Sequence, residues 1–108
     1  MIENVMKALV EKDFKALATY FSEDCKYFDY CPACNGEQNY FVYGNDCIEM
    51  FFRNRFTFEY LEVAEPIIED ANTASYFGAY CGPYVFARFR IEEFNDDGLI
   101  KKVVVHPA

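Results

Sequence analysis

The chain has 108 residues, of which 53% are hydrophobic and 19% aromatic; that suits one domain with its own core and excludes intrinsic disorder. Its formal net charge of −8 argues against nucleic acid, since an acidic surface repels a phosphate backbone, and no basic cluster serves an anionic membrane. Five cysteines, an odd number, and an N-terminal MIENVMKALVEKDF with early acids predict a reduced, cytoplasmic setting without a signal peptide or membrane span.

In chain order, Ile2, Val5, Met6, Leu9 and Val10 form one apolar stripe of a helix. The stripe restarts at Phe14, Leu17, Ala18 and Phe21 with Asp13 as N-cap, so two helices meet at a bend near Lys12 and Asp13. Ser22–Cys25 is read as the end of the second helix, CKYFDY as a short strand, Cys31–Gln38 as a loop and NYFVYG as a second short strand. Asp46 and Glu49 resemble a capping box, and Cys47, Ile48, Phe51 and Phe52 supply the buried face of a third helix ending near Arg55. From Thr57 the pattern turns to period two. TFEYLEVAEPIIED, TASYFGAYC, YVFARFRIEEF and LIKKVVVHP read as long strands separated by DAN, CGP and NDDG turns. Pro66 has no amide hydrogen and marks an edge or a bulge.

Helices first and antiparallel strands afterwards predict an α+β fold over residues 1–108, a single domain. A strongly curved antiparallel sheet wrapped on three helices makes a cone with an open mouth, a natural place for a ligand. One face of Thr73–Cys81 carries Ala74, Tyr76, Gly78 and Tyr80; the other carries Ser75, Phe77, Ala79 and Cys81. Neither face is polar, which predicts helices on one side and a second copy on the other: a homodimer through the sheet.

The segments DFKALATYFSEDCKYFDY, CIEMFFRNRF and RIEEFNDDGLIKKVVV, in that order and spacing, resemble the nuclear transport factor 2-like superfamily, its SnoaL-like and ketosteroid isomerase-like branch in particular. The resemblance covers nearly the whole chain and implies a cystatin-like cone. The superfamily includes ketosteroid isomerases, scytalone dehydratase, polyketide cyclases, limonene epoxide hydrolases and members that only bind or assemble, so the fold does not decide the function. It implies a domain that binds a small apolar molecule. One version is a cofactor-independent isomerase, dehydratase or cyclase; the other is a non-catalytic ligand-binding or dimerisation module. The catalytic aspartate of the isomerases falls on Asp29, eight residues after Phe21. Their oxyanion-hole tyrosine falls near Val5, which cannot donate, and their protonated acid near Arg90, which stays charged.

Asp29, set between Phe28 and Tyr30, is the candidate general base if it faces the cone interior, where apolar walls would raise its pKa; otherwise it points outward or caps the Cys31 loop. His106, the only histidine, is a candidate partner for Asp29 or a strand-end residue near a frayed terminus. Tyr27, Tyr40, Tyr43, Phe52, Tyr60, Tyr76 and Arg90 are the candidate pocket lining, with core and dimer contacts as the competing role for the rings. Arg88 and Arg90 share a face with Phe86 and have Glu62 or Glu92 as candidate cross-strand partners. Cys31 and Cys34 form a C-x-x-C with no second such pair, so zinc would need two further ligands to converge; an ordinary loop with two reduced thiols is the plainer reading. Asn35-Gly36 follows as a turn, so no helix is offered to activate a thiol.

Overall fold

The computed structural model describes all residues, Met1–Ala108. In chain order the elements are α1 (Ile2–Glu11), α2 (Phe14–Thr19), β1 (Phe21–Asp29), a short 3-10 turn (Pro32–Asn35), β2 (Tyr40–Tyr43), α3 (Asn45–Phe58), β3 (Glu62–Asp70), β4 (Thr73–Ala79), β5 (Tyr84–Phe94) and β6 (Ile100–Pro107). The strands form one six-stranded sheet in the order β2-β1-β6-β5-β4-β3. Every neighbouring pair is antiparallel except β1 and β6, which run parallel. Register shifts in β1, in β3 and at the β5–β6 pairing mark bulges, which bend strands and curve the sheet around the helices.

The helical half follows local signals. α1 buries Ile2, Val5, Met6 and Leu9, the predicted stripe. It ends because Lys12 turns left-handed at φ 59, which lets the Asp13 N–H return to the Ala8 carbonyl at 2.9 Å. Asp13 then starts α2, its Oδ1 accepting the Ala16 N–H at 3.1 Å.

Three boundaries differ from the sequence reading. β1 begins at Phe21, so Ser22–Cys25 belong to the strand; Phe21, Cys25, Tyr27 and Asp29 all face the core across a register shift between Phe21 and Lys26. α3 continues to Phe58 because Phe56 adds a third buried residue to Ile48 and Phe52; the alternation from Thr57 competes with that face and loses. Gly44, not Asp46, occupies the N-cap of α3, with φ 87 and the Glu23 carbonyl 3.2 Å from where a Cβ would stand. Pro66 satisfies both of its expected roles. It lies on edge strand β3, beside a register shift between Ala64 and Ile67 with Glu65 at φ 53.

The helices pack on the concave face of the sheet. Tyr76, Gly78 and Tyr80 point into that core, whereas Phe77 on the other face is 37% exposed. The outer face also carries Phe28, Phe41, Tyr43 and Phe86, and the Phe77 and Phe86 rings meet at 5.0 Å, tilted by 48°. Arg88 on this face pairs with Glu69 at 3.2 Å rather than with Glu62 or Glu92, which hold Lys12 and Lys102. No helix is long and apolar enough to cross a membrane.

Candidate functional site

Asp29 is the last residue of β1, aligned with Val105 on β6 and Tyr40 on β2. Strand alternation turns it inward with Cys25 and Tyr27, and it is 2% exposed. A buried carboxylate needs partners, and it has them. Oδ1 accepts the Cys31 backbone N–H at 2.9 Å, an Asx turn that opens the following loop. Oδ2 accepts the Tyr80 hydroxyl at 2.7 Å. The Tyr76 and Tyr80 hydroxyl oxygens are 2.9 Å apart. Tyr80 has one hydroxyl proton and gives it to Asp29, so Tyr76 must donate to Tyr80. The result is a buried chain from Tyr76 through Tyr80 to Asp29. Gly78 makes room for it. A Cβ there would stand 2.7 Å from Tyr80 Cε2 and 3.0 Å from Tyr76 Cε1.

Burial dominates the electrostatics. It raises the Asp29 pKa from 3.8 to about 6, against the opposing pull of the Cys31 amide and the Tyr80 hydroxyl. It also holds the Tyr27, Tyr76 and Tyr80 hydroxyls well above the usual phenol range. The Cys31 thiol, buried beside Asp29, is pushed upward by desolvation and then by that carboxylate. It is therefore a poor nucleophile.

The cone is not hollow at this level. Tyr27, Phe52, Tyr76 and Phe89 fill it, with Tyr27 meeting Phe52 edge-on at 5.1 Å and Phe89 at 5.9 Å. The expected cavity with Asp29 on its wall is corrected accordingly: rings fill the interior around the carboxylate, and the cavity at the mouth does not reach it. A cavity of about 230 Å³ lies instead at the mouth, among Tyr40, Arg55, Glu59, Tyr80, Cys81 and the Glu37–Gln38 segment. Tyr80 belongs to both places, contributing to the cavity lining and bonding Asp29 beneath. The Tyr40 and Tyr80 rings are 5.7 Å apart. Arg55, the one cation of the lining, lies over Tyr40 at 5.1 Å and Phe51 at 4.5 Å, with Nη1 held by Glu59 at 2.5 Å. Its Nε is buried without a hydrogen-bond partner.

Of the residues expected to line a pocket, Tyr40 does so, while Tyr27, Phe52 and Tyr76 are core beneath it. Tyr43 and Arg90 are corrected to exposed positions outside this cavity, because strand alternation turns them to the outer face, where Tyr43 borders the surface groove beside α3. Tyr60 is 72% exposed at the α3–β3 turn, where φ 54 ends the helix. His106 and Asp29 are not brought together. Val105 is the buried partner of Asp29, so His106, one residue on, faces the other side of the sheet opposite Arg88, with Nδ1 3.0 Å from the Pro107 carbonyl. Cys31 is buried and Cys34 exposed, and no three His, Cys, Asp or Glu side chains gather where a metal could be held. Arg55 and Glu59 were not anticipated, nor was Tyr80 as the partner of Asp29. Tyr80 carried a signal, its place on one strand face with Tyr76; Arg55 and Glu59 carried only an i,i+4 spacing common on exposed helices.

No family model and no curated protein matches the sequence. Solved structures do match, across nearly the whole chain. A SnoaL-like protein of unknown function from Burkholderia thailandensis superposes with a TM-score of 0.63 at 14% identity, over 99% of this chain and 91% of its own. An NTF-2-like protein of unknown function from Burkholderia xenovorans gives 0.63 at 14% identity, over 99% and 79%. This chain has the nuclear transport factor 2-like fold. The orange carotenoid protein of Anabaena (Nostoc), solved binding canthaxanthin, contains the same fold: TM-score 0.65, 20% identity, 96% of this chain and 34% of that one. At these identities the likeness speaks for the nuclear transport factor 2-like fold and for no particular chemistry.

Proposed function

We propose that this chain is a small-molecule-binding domain whose ligand sits at the cone mouth, its apolar body against the Tyr40 and Tyr80 rings and an oxygen toward Arg55. The observation that carries this reading is the position of Tyr80, which contributes to the cavity and is fixed from behind by Asp29 at 2.7 Å. A cavity of about 230 Å³ suits a one- or two-ring compound rather than a steroid. The filled interior supports binding without catalysis as the first reading. The test is a fluorescence titration with 2-naphthol, a two-ring phenol of suitable size. Saturable binding that Tyr40→Ala weakens about tenfold supports the site; binding unchanged by Tyr40→Ala removes it.

A second reading, acid–base chemistry on an apolar compound, is supported by the elevated Asp29 pKa of about 6. Asp29 would act through Tyr80. A proton leaving the ligand would pass to the Tyr80 oxygen as the Tyr80 proton passes to Asp29, leaving the carboxyl neutral and the phenol intact. No cofactor enters this scheme. His106 has no part in it. A homodimer through the outer sheet face fits both readings, since Phe77 and Phe86 form a partly exposed apolar pair there.

A further inference from the structure

The two edges of the sheet are built differently. β3 carries Pro66, a left-handed Glu65 and a register shift, devices that spoil an edge for strand pairing. β2 carries none of them. Its residues pair with β1 in the register Tyr27↔Val42 and Phe28↔Phe41, and the Gly44 N–H donates to the Cys25 carbonyl at 2.9 Å. Counting by two from that bond, Val42 and Tyr40 exchange the ladder hydrogen bonds with β1. Phe41 and Tyr43 therefore aim their N–H and C=O groups away from the sheet, at an unoccupied edge.

Beside this edge runs a groove of about 370 Å³, with Phe41 and Tyr43 on the strand side and Cys47, Met50, Phe51 and Asn54 on the α3 side. The helix residues fall at i, i+3, i+4 and i+7, one continuous face. Met50 is 66% exposed, Tyr43 58% and Phe41 51%, so the floor is apolar and open. At its Tyr43 end the groove meets a second cavity that shares Tyr43 and Cys47 and adds Glu23 and Asp46, with no lysine or arginine in its lining.

We infer that the β2 edge and the β2–α3 groove form a binding site for an extended peptide of a partner protein, added as an antiparallel strand. Two outward-facing residues supply two donors and two acceptors, enough to seat a segment of about four residues. One face of the added strand would lie on Met50 and Phe51, and the other beside the Phe41 and Tyr43 rings. Because the added strand runs opposite to β2, its N-terminal end reaches Glu23 and Asp46, so a basic residue belongs there.

The test uses a labelled hexapeptide: an N-terminal lysine, four alternating valines and threonines, and a C-terminal threonine amide. Expected are saturable binding in fluorescence anisotropy and amide shift changes centred on Phe41 and Tyr43. Glutamate in place of the lysine, or Met50→Glu in the protein, should each weaken binding about tenfold. N-methylation of alternate peptide amides in the register that faces β2 should abolish it. Met50 is exposed, so its variant should fold, and its thermal unfolding serves as the check. No binding at 1 mM, shifts mapping elsewhere, or full affinity of both N-methylated registers overturns the proposal. So does sedimentation showing that two copies already pair through this edge and separate in Met50→Glu.

Discussion

Tyr80 donates its hydroxyl proton to Asp29 at 2.7 Å across 51 residues of sequence, which ties the loop side of β1 to the end of β4 inside the core. Each group restricts the other. The carboxylate fixes the direction of the Tyr76–Tyr80 bond, and the phenol supplies one of the two donors that make a buried charge tolerable.

The elevated pKa of Asp29 has a defined sign in stability. Its folded value of about 6 lies above the ordinary 3.8, so the folded state binds the proton more tightly than the unfolded one. Stability from this group is fully present below about pH 4 and is lost as pH rises through about 6. Asp29→Asn mimics the protonated form: its amide can donate to Tyr80 and its carbonyl can accept from Cys31. Relative to wild type, this variant should gain up to about 3 kcal/mol between pH 4 and pH 7, the equivalent of a two-unit shift. Urea unfolding of both proteins at pH 4, 5, 6 and 7 checks it. A constant difference would show that Asp29 titrates normally.

Tyr80→Phe removes one donor from the carboxylate and leaves the Tyr76 hydroxyl without its acceptor. The expected loss is about 1–3 kcal/mol near neutral pH. The Asp29 pKa should rise further, because one opposing hydrogen bond is gone. Carbon-detected NMR of the carboxyl resonance measures that directly, and an unchanged or lowered value would contradict the geometry.

Gly78→Ala places a methyl against two buried rings, 2.7 Å from Tyr80 Cε2 and 3.0 Å from Tyr76 Cε1, so the rings must give way. Overpacking of this kind costs about 1–3 kcal/mol. The rings should also part, weakening the Tyr76–Tyr80 contact, so the variant should lose 2-naphthol affinity as well as stability. Thermal unfolding and the naphthol titration read the two effects separately.

Much of this fold was legible because its signals are local. The Asp13 cap, the bend at Lys12, the Pro66 edge and the turns at Asn72 and Gly98 each depend on residues within a few positions of one another. The β1 start and the α3 end were misread where two periodicities overlap: Phe21 continues a helical stripe and also opens a strand, and Phe56 closes a helical face just where Thr57 begins an alternation. At the site, Asp29 stood out as an acid within a run of rings. Its partner did not, since only the β1–β6–β5–β4 order brings Tyr80 across to it. The pairing imagined with His106 failed by a single residue of alternation.

The proposed homodimer carries its own expectation. Phe86→Lys puts a charge into the Phe77–Phe86 patch, and two such charges would face a second copy. If the copies meet there, sedimentation should show a dimer in wild type and a monomer in the variant, with Tm changed by only a few degrees. A wild-type monomer at 100 μM would end this reading while leaving the cavity and its naphthol test untouched.

The asymmetry between the two sheet borders bears on what the protein avoids. A sheet that is receptive along β2 but spoiled along β3 by Pro66 and Glu65 can be extended from one border only. Copies cannot join head to tail in a row, because each junction would need both borders open. That head-to-tail route is opposed by one imino acid and one left-handed residue, and replacing Pro66 with valine should raise aggregation, read as an increase in thioflavin T fluorescence.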